Sequence, residues 1–429
     1  MRILIHGINY TPDEIGIPKY TTEMAEWFAA RGHQVRVVTA PPYYPAWKVP
    51  SAYKSLRKWR ETLNKVRIVR SPIYVPDNPT GLKRLLHLTS FAVTSALPTM
   101  LIATFWRPHV VMGIAPALTS APATWMAARL GGSAAWLHIQ DFELDAAFEM
   151  GLLKGEKSRG IAETIEKWIL RRFDRVSTIS KKMMEGLERK GVNPKSIREL
   201  RNWVDVDAIQ PMSEPSPFRA EWKASADDII CLYSGNIANK QGLEIIIDAA
   251  DQLAEQEHIK FVVCGQGSGH AAFSAQAQSR PNITMLPLQP FEHLNALLNA
   301  ADIHMLPQKA GAADLVLPSK LTGMLASGRP VVATAEDGSG LAGEVDGCGI
   351  TTPPEDAKAF AEAIQELADT PALRDTLGKA ARAAALARLD VNVILARAEA
   401  EFVNISEGAI ASSDQTTPSD GSINPPEGR

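Results

Sequence analysis

Three strand-to-helix joints in the second half of the chain constrain its fold more than any other feature. They are Tyr233-Ser234-Gly235-Asn236 leading to Lys240-Gln241-Gly242, then Cys264-Gly265-Gln266-Gly267, then Leu317-Pro318-Ser319-Lys320. Each follows an apolar run of strand type and is expected to open an amphipathic helix. A strand, a tight turn and a helix in repeated order build a parallel sheet with helical crossovers. A helix N-terminus also carries unpaired N–H groups and about half a positive charge, so it attracts phosphate. Three such ends beside one cleft, with Lys240 and Lys320 added, describe a pocket for a diphosphate, and hence a nucleotide-linked substrate.

The first half alternates in the same way. Strands are expected at 2–7, 35–39, 66–70, 109–113, 135–139 and 175–179, from their β-branched and apolar residues. Between the first two, Tyr20, Met24, Trp27 and Phe28 recur at helical spacing, and Gly32-His33 stops that helix. A second unit begins near Ile229, with strands at 229–233, 260–264, 283–286, 303–306 and 330–334. The expected architecture is α/β, with two Rossmann-like domains whose parallel sheets face a cleft. The domains are placed at 1–205 and 229–385, joined by a polar connection at 206–228. A C-terminal helix at 386–407 and a Ser-, Thr-, Pro- and Gly-rich tail at 408–429, expected to be disordered, complete the chain.

Composition narrows the class. The 429 residues carry a formal charge of -3, which gives no support to a nucleic-acid partner. Three widely spaced cysteines show neither zinc spacing nor a disulfide framework, and suit a reducing compartment. The chain opens directly on a strand, without a basic-then-apolar leader, so a cytoplasmic location is expected. Charge is unevenly spread: ten Lys or Arg lie between Lys48 and Arg84 against two acids, Glu61 and Asp77. The next 22 residues, 85–106, carry no Asp, Glu, Lys or Arg. That length could span a bilayer, but Pro98 and six Ser or Thr dilute it. It reads either as a buried helix pair or as a peripheral membrane contact, with Arg57, Lys58, Arg60, Lys83 and Arg84 on anionic lipid heads.

Eight segments taken together carry a family resemblance. They are Gly7-Ile8-Asn9-Tyr10 with Gly16-Ile17-Pro18-Lys19-Tyr20; Arg31-Gly32-His33-Gln34-Val35; His138-Ile139-Gln140-Asp141; Ser177-Thr178-Ile179-Ser180; Asn202-Trp203-Val204-Asp205; Ser234-Gly235-Asn236 to Gly242; and Pro318-Ser319-Lys320 to Gly328-Arg329-Pro330-Val331. In that order and spacing, over roughly residues 1–400, the chain resembles the retaining group-one glycosyltransferases of the two-Rossmann-domain (GT-B) type. Among these it looks most like the fucosyltransferase type of colanic acid biosynthesis. The resemblance implies a nucleotide-sugar donor, GDP- or UDP-linked, held by the C-terminal domain, and no other cofactor. It implies an acceptor held by the N-terminal domain.

The resemblance carries over residue by residue. Gly16 matches a glycine loop at the cleft, where a bare N–H could approach the diphosphate; its plain alternative is an ordinary strand–helix turn. Lys240 matches one of two donor-phosphate cations, while Asn236 stands where the family usually has arginine. As a solvated lysine in a helix's first turn, Lys240 would oppose the dipole by about 0.3–1 kcal/mol, a conflict that a bound anion removes. A glutamate pair common in the family would fall near Leu315 and Gly323, both uncharged, so ribose binding by a glutamate does not carry over. Ser319 suits a helix cap, and Lys320 could reach phosphate oxygens as a point charge. Gly265 and Gly267 form a turn bordering the donor, and the segment 265–269 lacks the third glycine of a dinucleotide fingerprint.

His138 and Gln140 share one strand face, and Asp141 ends that strand where α/β folds bind ligands. Asp141 and His138 are candidate catalytic groups with Lys240, although His138 equally fits a core histidine. No His, Cys and Asp cluster has metal spacing, and no Asp-x-Asp lies beside the donor turns, so a metal-independent reaction is expected. The function expected is sugar transfer from a nucleoside diphosphate to a lipid-linked exopolysaccharide intermediate, at an anionic membrane surface and beside other polysaccharide-assembly proteins. A sugar-nucleotide epimerase and a non-catalytic glycosyltransferase-like scaffold are the alternatives.

Overall fold

A computed structural model describes residues 1–13, 16–44, 46–54, 59–77, 81–116, 118–142, 156–238, 241–310 and 318–414. Lys240, Arg57 and Lys58 lie outside the described residues. The first sheet holds β1 (Arg2–Gly7), β2 (Gln34–Thr39), β3 (Arg60–Leu63), β4 (Val66–Arg70), β5 (Val110–Ala115), β6 (Ala134–Ile139), β7 (Arg175–Thr178) and β8 (Ile197–Glu199). Their order is β3-β4-β2-β1-β5-β6-β7-β8. β1 pairs in parallel with β2 and β5, and β5 with β6, while β3 runs antiparallel to β4. Every residue of β5 and β6 is buried, as expected of parallel strands covered on both faces.

The second sheet holds β9 (Ile229–Asn236), β10 (Ile259–Gln266), β11 (Ile283–Leu286), β12 (Ile303–Leu306), β13 (Val331–Thr334) and β14 (Gly349–Thr352). Its order is β11-β10-β9-β12-β13-β14, with parallel pairing. In both sheets the first strand sits centrally and the chain order reverses beside it. In the second sheet the reversal falls between β9 and β12, and in the first between β1 and β5. Loops leaving the carboxyl ends there diverge to opposite faces and leave a crevice, the usual ligand position of such folds.

The helices are α1 (Ile17–Ala30), α2 (Gly81–Trp106), α3 (Ala121–Gly131), α4 (Glu156–Leu170), α5 (Lys181–Arg189), α6 (Pro217–Glu221) and α7 (Glu244–Gln252). They continue with α8 (His270–Ala277), α9 (Leu294–Ala300), α10 (Lys320–Ala326), α11 (Gly340–Val345), α12 (Ala357–Asp369), α13 (Pro371–Arg388) and α14 (Val391–Asp414). Of the four residues read at helical spacing in α1, Tyr20, Met24 and Phe28 are buried and Trp27 is half-buried.

The chain forms two compact units. One comprises Met1–Ile139, Glu143–Val176 and Arg397–Arg429; the other comprises Gln140–Phe142 and Ser177–Ala396. By contacts, residues 177–205 group with the second unit, and Arg397 onward, within the chain's last helix, groups with the first. Within that unit the Phe402 ring lies 5.2 Å from Phe28 and 4.8 Å from Trp136, and Glu399 receives hydrogen bonds from Arg31. α14 runs on to Asp414, past the residue 407 at which helix was expected to end. Residues 85–106 fold not as a buried helix pair but as part of one helix, α2, with Pro98 inside it. The three cysteines are free and buried, and burial pushes each thiol upward, so they stay protonated.

Candidate functional site

The Gly235–Asn236 and Gly265–Gly267 turns meet at the reversal point of the second sheet. β9 and β10 pair as far as Gly265 opposite Gly235 and Gln266 opposite Asn236. The two turns then lock together: the Ile237 N–H donates to the Gln266 carbonyl at 2.8 Å, and the Gly269 N–H to the Ile237 carbonyl at 2.9 Å. This packing is what requires glycine. A Cβ on Gly265 would run into the Gly235 carbonyl, and one on Gly267 into the Ile237 carbonyl and Asn236 Oδ1. The backbones approach closely with or without a ligand.

Lys320 arrives from the segment beyond β12, the other side of the reversal. Its Nζ donates to Tyr233 Oη at 2.7 Å and lies 4.1 Å from that ring's centroid. Tyr233 Oη in turn donates to the Asn236 carbonyl at 2.6 Å. Burial pushes the Tyr233 phenol well above its ordinary range, so it remains a neutral donor in this chain. A Cβ built on Gly235 would stand 3.1 Å from Lys320 Nζ, so the ammonium lies directly against the turn. A cation therefore stands beside the residue, Asn236, where the family has arginine. Tyr233 was not read as functional, because a tyrosine inside an apolar strand signals core packing in a sequence.

The helices contribute less than expected. α7 begins at Glu244, preceded by Gly242 at φ 63°; the expectation for Lys240 falls outside the described residues. α10 has 7 residues, and Ser319, at its N-cap position, makes no capping hydrogen bond. The expected cap is absent because Ser319 has helical dihedrals, which carry its side chain away from the next turn. Pro318 and Ser319 instead line a cavity with Arg201, Asn202, Thr322 and Glu344. Arg201 pairs there with Glu344, and its Nε is buried without a partner. Lys309 is a further cation missed in the sequence; its Nζ lies 3.9 Å from Glu244 beside the Gly242 turn. Among the described residues, the Oε1 atoms of Gln241 and Gln308 are buried without hydrogen-bond partners.

In the first unit, Gly16 follows β1 and precedes α1 with φ 78°, ψ -129°. Among the described residues nothing lies within 4 Å of a Cβ placed there. The positive φ is one that favours glycine. Asp13, in the same loop, accepts long hydrogen bonds from the Tyr43 and Tyr44 N–H groups, and burial raises its carboxyl to about 6. Arg70 ties this loop to its neighbours: it pairs with Glu61 at 2.7 Å and donates to the Thr11 and Ala40 carbonyls. His138 is buried near the end of β6 opposite Ile114, and Asp141 follows that strand, half-buried. Both residues have interactions within the protein. Arg60, Lys83 and Arg84 are exposed. Among the described residues, no group of three His, Cys, Asp or Glu is arranged to hold a metal ion.

Comparison with known proteins divides the chain between residues 203 and 228. Residues 16–203 match the glycosyl transferase 4-like domain, and residues 228–370 match the glycosyl transferases group 1 domain. WcaI of Escherichia coli K12, named a colanic acid biosynthesis glycosyl transferase, is 43% identical over 376 residues, covering 85% of this chain and 92% of WcaI. Sucrose-phosphate synthase from Thermosynechococcus elongatus superposes with a TM-score of 0.74 at 19% identity, over 95% of this chain and 100% of that one. Anabaena HepE, solved with UDP and glucose, gives 0.67 at 14% identity over 94% and 100%. The glycosyltransferase WaaG gives 0.63 at 16% identity over 92% and 98%. With both domain models matched in order and a relative at this identity over most of its length, the chain belongs to the group-1 glycosyltransferases of GT-B fold.

Proposed function

We propose that this glycosyltransferase moves a sugar from a GDP- or UDP-linked donor to a lipid-linked oligosaccharide of exopolysaccharide assembly, with retention of configuration and without a metal. The observation that carries the donor reading is the Lys320 ammonium held against the interlocked Gly235 and Gly265–Gly267 turns, at the sheet's reversal point. Negative charge builds on the diphosphate as it leaves. Lys320 and Lys240 would meet that charge, the part a divalent cation plays in other transferases. The kinship to a colanic acid enzyme supports the exopolysaccharide assignment, and HepE's complex with UDP-glucose supports a nucleotide-sugar donor. Fucose is the donor sugar to test first.

In this reading Asp141, beyond β6, offers a carboxylate to the acceptor hydroxyl or to the positive charge on the sugar ring, with His138 near the end of that strand. The acceptor's lipid would place the enzyme at the inner face of the cell membrane, with Arg57, Lys58, Arg60, Lys83 and Arg84 towards anionic head groups.

The test is a donor screen on purified protein. A true donor at 100 times its dissociation constant should add about 2.7 kcal/mol of stability, read as a raised melting temperature. With a lipid-linked acceptor it should release nucleoside diphosphate, and the product's anomeric configuration should match the donor's. Lys240→Ala should cut turnover by about 10²–10³ without lowering the melting temperature. Near-normal turnover at saturating donor would reduce Lys240 to a surface lysine. Absence of both stabilisation and diphosphate release across GDP- and UDP-sugars would favour the scaffold. Epimerised donor without transfer would favour the epimerase.

A further inference from the structure

α2 is built inside out. Its buried stripe is His87, Phe91, Ser95, Thr99 and Ala103, rich in polar and small residues. The opposite stripe is apolar and faces outward: Leu82 is 71% exposed, Leu86 51%, Val93 70%, Leu97 62%, Leu101 47% and Phe105 83%. Only 22% of the helix's most apolar 18-residue stretch is buried. A soluble domain places these faces the other way round, and a contiguous exposed apolar stripe of this kind marks an interaction surface.

We infer that α2 is an interfacial helix that lies flat in one leaflet of an anionic bilayer, outer stripe in the acyl region. This rests on the membrane-bound acceptor proposed above and names the surface and mode of attachment. Lipid fits as the occupant for two reasons. The first is charge. No Asp or Glu occurs between Asp77 and Asp141, while Lys83, Arg84 and Arg107 stand exposed at the two ends of the helix. Basic ends flanking an apolar stripe suit a surface of anionic heads over hydrocarbon. The second is hydrogen bonding. Thr104 Oγ1, on the outward side, donates to the Met100 carbonyl at 2.9 Å within the helix, as a hydroxyl facing hydrocarbon must.

The buried stripe determines the orientation. At 26 residues α2 is about 39 Å long, enough to cross a bilayer. It is held to the domain, however, along its polar side. Ser95 Oγ donates to the Phe91 carbonyl at 2.6 Å and meets His6 Nε2 at 2.8 Å, and His6 Nδ1 contacts Thr124 Oγ1 on α3, also at 2.8 Å. A helix pinned to β1 and α3 along its length offers one face to lipid and cannot be surrounded by it.

The experiment is vesicle flotation of the full chain. Wild type should float with phosphatidylethanolamine–phosphatidylglycerol vesicles and much less with phosphatidylcholine alone. Val93→Glu combined with Leu97→Glu should lower partitioning about a hundredfold, since two large apolar groups leave the acyl region. Both positions are exposed, so the melting temperature and transfer to a soluble acceptor analogue should be unchanged. Those readouts separate failure of this inference from failure of the donor reading. A bimane on Val93→Cys, selective because the natural cysteines are buried, should be quenched by spin labels near the head groups. Equal flotation of wild type and the double variant would overturn the inference. So would a lipid-free wild-type dimer that the double variant dissociates, which assigns the stripe to a second copy, or quenching strongest at the bilayer centre, which means a span.

Discussion

Tyr233 shows how one side chain can hold a cation against a backbone turn. It accepts from Lys320, donates to the Asn236 carbonyl and offers its ring to the ammonium. Tyr233→Phe keeps the ring and removes both hydrogen bonds. The expected outcome is a donor KM several-fold higher with kcat little changed, and a stability loss of about 1–2 kcal/mol. Steady-state kinetics with a known donor, beside urea unfolding, measures both. If stability falls and KM does not move, the phenol serves the fold alone. Lys320 was legible in the sequence as a cation near the donor turns; its partner was not. A core tyrosine and a tyrosine that steadies a lysine look identical until the strand's neighbours are known.

At the scale of elements, the docking of α2 depends on a buried neutral histidine. Burial lowers His6 from 6.5 to about 4. Below pH 6.5 the unfolded chain takes up a proton at this position that the folded chain refuses until about pH 4. The stabilising contribution is therefore complete above pH 6.5 and is lost as the pH falls towards 4, at about 1.4 kcal/mol per pH unit. His6→Gln removes this titration. Between pH 7 and 5 the wild type should lose about 2 kcal/mol more than the variant, by urea unfolding at each pH. Parallel slopes would show that His6 is solvated or charged in the native state. Strands such as β4, β11 and β12 were legible to the residue from their apolar runs. β3, β8 and β14 were not, being short or polar and ordered by pairing with neighbours.

For the whole molecule, the C-terminal helix is the element whose place was least foreseeable. Its sequence is amphipathic and would fit either unit, yet Phe402 is buried on Phe28 and Trp136 of the first. Phe402→Ala should cost about 3–5 kcal/mol, the loss of a buried aromatic together with the cavity it leaves. Denaturation followed by tryptophan fluorescence should show the first unit unfolding earlier. A single transition unmoved from wild type would mean that the helix only decorates the surface.

The sequence by itself determined the class of fold, the positions of most strands along the chain, the glycine turns and the family. These depend on local preference: apolar periodicity, turn chemistry and motif spacing act within a few residues. Tertiary structure alone decided that Gly265 and Gly267 serve packing and that Gly16 takes a positive φ. It decided that Ser319 does not cap α10. It also decided that the apolar side of α2 faces outward. An apolar stripe records that burial is favourable but not what supplies it. The neighbours that take up His87, Ser95 and Thr99 are brought to α2 by parts of the chain distant in sequence.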